Sequence, residues 1–210
     1  MNANVSTKSV ANVIYPVPRL KTSFAPIVTL PEFDQRILPY YCLLEWLPRS
    51  DPNRISILCQ LVGLRTHRME LSRQKGDLDK AITHSTEAIL LPSAQRIVFV
   101  FFHLAALLLS RFSLYRQADD IKSSVNYFRF LRMNFYSLEA FDIPYTSGDL
   151  LSSLFNALAH KLVVTPGEMV WDLEEIVALI PLLITADILT NHQAQAIVAL
   201  GDAASENIRD

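Results

Sequence analysis

The stretch Gly76 to Pro92, GDLDKAITHSTEAILLP, constrains the fold more than any other part of the chain. Leu78, Ala81, Ile82, Ser85, Ala88 and Ile89 recur at spacings of three and four, which puts them on one stripe of an α-helix. Asp79, Lys80 and Glu87 fall mostly off that stripe. Ala81, Ser85 and Ala88 are small enough for a neighbouring helix to approach closely. Pro92 closes the segment, because proline cannot continue a helix. A helix with one apolar stripe cannot bury it alone, so this segment requires packed neighbours.

The pattern returns 43 residues later. Asp77 maps onto Asp120, Leu78 onto Ile121, Ile82 onto Val125, Ser85 onto Phe128 and Ala88 onto Leu131. Upstream, Leu61 maps onto Leu104, Leu64 onto Leu107 and Arg68 onto Arg111. Apolar positions fall on apolar positions with few exceptions, the mark of an internal repeat. The first pair of helices spans about 53–91, as Asn53 to Arg73 and then Asp77 to Leu91. Asp51 and Pro52 supply its capping acceptor and first-turn proline, Ile57, Leu58, Leu61 and Leu64 its inner face, and Gly76 its junction. The second pair spans about 94–138, as Ala94 to Leu114 and then a partner from near Asp119.

A third, less regular pair occupies 149–188. Leu151, Leu154, Leu158 and Leu162 line its first helix, Leu150 to Val163, and Thr165-Pro166-Gly167 makes the turn. Val170, Leu173, Ile176, Val177 and Ile180 line its second, Glu168 to about Ile188, which Pro181 should kink near Val177. A terminal helix covers 192–205. Residues 1–50 read differently. Pro16, Pro18, Pro26 and Pro31 make an extended arm of residues 1 to about 32. A short helix within Phe33 to Leu47 follows, carrying Leu38, Tyr41, Leu44 and Trp46 around Pro39. The fold class is all-α: stacked antiparallel helical hairpins over 51–210 behind a proline-rich N-terminal arm.

The repeat unit resembles a tetratricopeptide repeat (TPR-like), with Gly76, Ala81, Ala88 and Pro92 near that family's junction glycine, packing alanines and closing proline. Its period of 43 exceeds that family's usual length of about 34 residues. The segments LVGLRTHRMELSRQKGDLDKAITHSTEAILLP, HLAALLLSRFSLYRQADDIKSSVNYFRFLR and SLEAFDIPYTSGDLLSSLFNALAHKL are similar to the degenerate repeats that precede CHAT domains in large fungal proteins. The resemblance covers about residues 51–208. It implies an α-solenoid that binds protein or peptide partners without catalysis. A fragment of a larger array lacking its effector domain, with an exposed end that could self-associate, is the alternative.

Net charge is −2 and no basic run occurs, so nucleic acid is not an expected partner. The apolar run Ile97 to Leu109 is 13 residues and contains His103, short of the ~20 that a membrane span needs. No membrane association and a cytoplasmic location are expected. Cys42 and Cys59 lie in no zinc-type spacing, and no cofactor or metal is implied. His67, His84, His103, His160 and His192 form no HxxxH or HExxH motif. A Cys59 dyad with His67 or His103 is the least remote route to a Cys-dependent hydrolase. Glu174 and Glu175 diverge by about 100° on a helix and make no catalytic pair. Arg68 and Arg111 are the candidate binding residues. Either they line a groove and hold partner carboxylates, or each pairs with an acid of its own second helix, Asp77 or Asp79 and Asp119 or Asp120. Trp46, Trp171, Tyr127, Phe128, Phe130, Phe135 and Tyr136 are expected mainly in the core, although Tyr127 and Phe130 lie off the core stripe and either pack against the next pair or form an exposed apolar patch.

Overall fold

The computed structural model describes residues 29–91, 97–138, 146–164 and 169–186. Among them the chain is all-helical: seven helices and no strand. The helices are α1 (Leu30–Trp46), α2 (Asn53–Ser72), α3 (Lys75–Ile89), α4 (Ile97–Tyr115), α5 (Ala118–Leu138), α6 (Ser147–Val164) and α7 (Met169–Thr185). Helices α1 to α5 form one compact unit, in which each helix packs on the next. Helices α6 and α7 pack together in a second unit. The terminal helix expected at 192–205, the Thr165-Pro166-Gly167 turn and the arm over residues 1–28 lie outside the described residues.

Helix α1 begins inside the stretch expected to be extended. Glu32 accepts the Thr29 backbone N–H at 3.1 Å, and Pro31 sits in the first turn, where a missing N–H costs nothing. Pro31 therefore starts a helix. The helix continues through Pro39 because Pro39 and Gln35, whose carbonyl loses its partner, both face solvent. Its buried stripe is Phe33, Ile37 and Leu44, with Tyr40 and Tyr41 half-buried. The expected stripe was rotated: Leu38 is 63% exposed and Trp46 is 86% exposed. Phe33, Ile37 and Leu44 share a core with Leu58, Leu61, Leu64, Ala88 and Val100. Each such side chain contributes about 1.5–3 kcal/mol when fully buried.

Helix α2 starts as expected, with the Asp51 carboxylate accepting the Asn53 N–H at 2.8 Å. The junction to α3 differs from expectation. Gly76 is already the second residue of α3 and has no positive φ. The residue that turns the chain is Arg73, left-handed at φ 55°. Arg116 does the same between α4 and α5 at φ 57°, 43 positions on. Arg73 and Arg116 are followed by Gln74 and Gln117, so both turns are built from the same dipeptide.

Residues 43 apart share their environment. Leu61 and Leu104, Leu64 and Leu107, Leu78 and Ile121, Ser85 and Phe128, and Ala88 and Leu131 are all buried. Helix α4 is longer than its apolar run suggests, 19 residues, and is long and apolar enough to cross a membrane by length and composition. In this structure no residue from Phe102 to Leu109 is exposed, so its whole circumference is covered by protein. Phe101 packs on Tyr127 and Phe130, with ring centroids 5.5 and 5.0 Å apart. Phe128 is fully buried and Phe130 is partly open, while the side chains of Phe135 and Tyr136 lie outside the described residues.

In the second unit Leu150, Leu154, Phe155, Ala157 and Leu158 of α6 are buried, with Leu151 and Leu162 half-buried. Helix α7 buries Ile176, Leu179, Ile180 and Leu183, whereas Val177 is exposed. Val177 and Pro181 both face solvent, the arrangement seen at Gln35 and Pro39. Trp171, placed with the core from its sequence, is 78% exposed.

Candidate functional site

Charged side chains tie the ends of α1 to α5 together. Asp77, in the first turn of α3, is 2% exposed. Its carboxylate accepts from Arg65 Nη1 at 2.8 Å, from Ser72 Oγ at 3.1 Å, and from Arg68 Nη1. Arg68 also lies 3.1 Å from Asp34, in the first turns of α1. Arg111 repeats the device. Its Nε and Nη2 donate to the two oxygens of Asp120 at 2.8 and 2.7 Å, and its Nη1 donates to Asp79 at 2.9 Å.

These contacts fix the geometry. The starts of α1, α3 and α5 lie along one edge, joined by arginines from the ends of α2 and α4. Carboxylates near helix starts and cations near helix ends also suit the helix dipoles. At the opposite edge Arg54 donates to the Leu44 and Leu47 carbonyls at 2.8 and 3.0 Å, and to Glu87 at 2.9 and 2.6 Å. It thereby satisfies carbonyls that the end of α1 leaves without helical partners. Helices α1, α2 and α3 are thus pinned at both ends in antiparallel alternation. In the other unit Lys161, in the last turn of α6, lies 2.9 Å from Asp172, in the first turn of α7, and both are buried.

Burial opposes the charge on Arg68, but the hydrogen bonds and fields of Asp77 and Asp34 outweigh it and hold its pKa above the ordinary value. The Asp120 hydrogen bonds raise Arg111 further, against burial and with help from Asp79. Arg68 and Arg111 therefore spend their donors on this chain's own carboxylates, as the internal-pairing reading of the sequence has it. The signal for this row was present in the sequence as arginine and aspartate nine residues apart, twice. Arg54, Arg65, Tyr41 and His84 were missed, because their side-chain partners lie 12 to 43 residues away with no motif.

His84 is buried, and its Nε2 lies 2.9 Å from the Tyr41 hydroxyl, which also accepts from Arg65 Nη2 at 3.3 Å. The His84 Nδ1 atom is buried without a hydrogen-bond partner. Burial lowers the His84 pKa below 6.5; Arg65 and Lys80 add to this and Glu87 opposes it.

Cys59, Ser85 and His103 border one gap between helices, too tight to hold a water molecule. Burial alone pushes the His103 pKa down to about 3, so its imidazole is a poor proton acceptor. The Ser85 hydroxyl is fully buried and unpartnered. Of the other sequence candidates, Glu174 is exposed and His192 lies outside the described residues. Among the described residues no cluster of histidine, cysteine and carboxylate side chains is arranged to hold a metal ion.

The opposite edge carries a different pattern. Trp46 is 86% exposed, Leu90 79% and Met133 76%. Leu90 and Met133 are 43 residues apart, and Trp46 precedes Leu90 by 44. Leu90 and Met133 thus match in the repeat, while Trp46 stands one residue out of that register at the end of α1, and Leu43 and Phe130 lie one turn before Trp46 and Met133. No protein-family model, no curated protein and no solved structure matches the chain.

Proposed function

We propose that this chain is a protein-interaction scaffold built from tetratricopeptide-like helical repeats, without catalytic activity of its own. The observation that carries the reading is the set of large apolar side chains left highly exposed on alternate helices: Trp46 at the end of α1, Leu90 just past α3 and Met133 in α5, the last two at matching repeat positions. Scattered exposed apolar residues need no explanation, whereas a recurring set on one edge marks a docking surface. First helices are the poorer candidates for this role, since Arg68 and Arg111 are engaged internally and α4 is buried from Phe102 to Leu109.

The occupant is an apolar segment of another protein, laid across the ends of α1, α3 and α5. A fully exposed aromatic side chain offers about 150–250 Å². Trp46, Leu90 and Met133, with the partly open Leu43 and Phe130, therefore offer several hundred Å². That falls short of the ~800 Å² per partner of a stable dimer and suits a single peptide. Net charge of −2 adds no attraction for nucleic acid, and the reading places the protein in the cytoplasm. The surroundings of Cys59 do not favour hydrolysis, since the gap beside it admits no substrate.

Selection from a random peptide library, followed by titration calorimetry, tests the proposal. Selected peptides should carry spaced apolar residues and should lose at least tenfold in affinity for a Trp46→Ala, Leu90→Ser, Met133→Ser variant. Equal binding to the wild type and the folded triple variant removes the reading.

A further inference from the structure

We propose that α1 is held on the α2–α3 hairpin by an acid-sensitive latch, the hydrogen bond from Tyr41 to His84. The geometry assigns the protons. Arg65 can only donate, so the Tyr41 hydroxyl accepts from it at 3.3 Å. The hydroxyl's own proton then goes to His84 Nε2, 2.9 Å away, and the imidazole carries its proton on the enclosed Nδ1. In this state the latch joins α1 to α3 through the tyrosine proton, and the imidazole proton on Nδ1 is enclosed without a partner.

A second proton on His84 must go to Nε2. That turns the acceptor into a donor, leaves the tyrosine proton without a target, and sets a new positive charge beside Arg65. The groups facing His84 are Tyr41 from α1, Arg65 from α2, and Lys80 and Glu87 from its own helix. Glu87 is the one favourable charge among them, and Arg54 already occupies its Oε1. Opening α1 moves the imidazole toward water, where it recovers its ordinary affinity for a proton. The open state therefore binds more protons than the closed one below pH 6.5. The latch holds fully above that pH and weakens as pH falls, by about tenfold in the opening equilibrium per pH unit, until the closed form also protonates. Helix α1 is suited to opening separately. Its ties to the hairpin are the Phe33, Ile37 and Leu44 stripe, the Arg54 bonds to its last carbonyls, the latch, and an Arg68 contact to Asp34 that is half open to solvent.

Hydrogen exchange on the full chain, read by mass spectrometry at pH 7.5 and 5.0 after correction for intrinsic rates, tests this. Peptides covering Phe33–Trp46 should lose at least tenfold in protection at pH 5.0 while α5 keeps its own. The His84→Gln variant, which keeps a neutral acceptor, should hold α1 at both pH values. Retained protection of wild-type α1 at pH 5.0, or equal loss in His84→Gln, overturns the latch. Should the variant not fold, the His84 imidazole proton resonance followed in the wild type decides. A midpoint coinciding with the loss of α1 protection supports the latch, and a midpoint separated from it by more than a pH unit overturns it.

Discussion

The α2–α3 and α4–α5 hairpins share one frame and fill it with opposite chemistry. Both turn at a left-handed arginine, both bury residues at matching positions, and both bind the end of the first helix to the start of the second through an aspartate. In the first hairpin the interior holds Arg65, His84 and Ser85; 43 residues on, the same places hold Leu108, Tyr127 and Phe128. The backbone is therefore specified by the turn, the aspartate and the shared apolar positions. What lies between them is free to vary. The polar hairpin is the one on which α1 docks, through Tyr41 and Arg54. The apolar hairpin instead buries every residue of α4 from Phe102 to Leu109. The first hairpin therefore holds α1 through a polar interior, whereas the second meets α3 through the Arg111–Asp79 pair and a mainly apolar face.

The largest difference should appear on removing the two aspartates. Asp77→Ala strips the shared acceptor from Arg65 and Arg68, and Arg65 is only 7% exposed. Breaking a buried pair on one side costs about 3–5 kcal/mol. Asp120→Ala leaves Arg111 with Asp79, and the arginine side chain is 21% exposed. The expected loss there is about 1–2 kcal/mol, in the range of a charge-assisted hydrogen bond that is partly replaced by water. Urea unfolding of the two variants measures both. Equal losses would mean that the hairpins are held in the same way after all.

A smaller effect of opposite sign is expected at Ser85. Its hydroxyl is fully buried with no partner, whereas the matching Phe128 has no polar atom to satisfy. Ser85→Ala removes an unsatisfied polar group at the cost of little volume. It should stabilise the protein by about 1 kcal/mol, read as a raised unfolding midpoint. A loss of stability would show that the hydroxyl has a partner, and that the first hairpin is more fully satisfied than its geometry suggests.

The helices and their pairing could be read from the sequence because the 43-residue offset compares the chain with itself. Boundaries such as Asn53 and the inner faces of α2 and α3 follow from capping and periodicity. Helix α1 was legible only in part: a short helix around Pro39 was expected, but not its start at Leu30, since Pro31 argues against a helix unless one knows that it falls in the first turn. Exposed Trp46 escaped for a related reason. Apolar character predicts burial only when the helix register is known, and Pro39 obscured it. Of the candidate site, Arg68 and Arg111 were visible because they recur. The Tyr41–His84 pair joins residues at the same place in successive units, but the offset alone does not say that the two side chains meet.

Gly76 offers the finest test of the shared frame. From its sequence it is the junction glycine, and a junction that needs a left-handed residue would lose more than 1 kcal/mol on gaining a Cβ. The structure gives that role to Arg73 and leaves Gly76 inside α3, where an added Cβ would meet nothing within 4 Å. The matching residue in the second hairpin, Asp119, carries a side chain at the same place in α5 and is exposed. Alanine also narrows the unfolded ensemble relative to glycine. Gly76→Ala should therefore stabilise the protein by about 0.5 kcal/mol, because the second residue of a helix realises only part of the full propensity difference. The change should appear as a shifted urea midpoint with an unchanged slope. A midpoint shifted down would return the turn to Gly76 and separate the two hairpins at the feature they most clearly share.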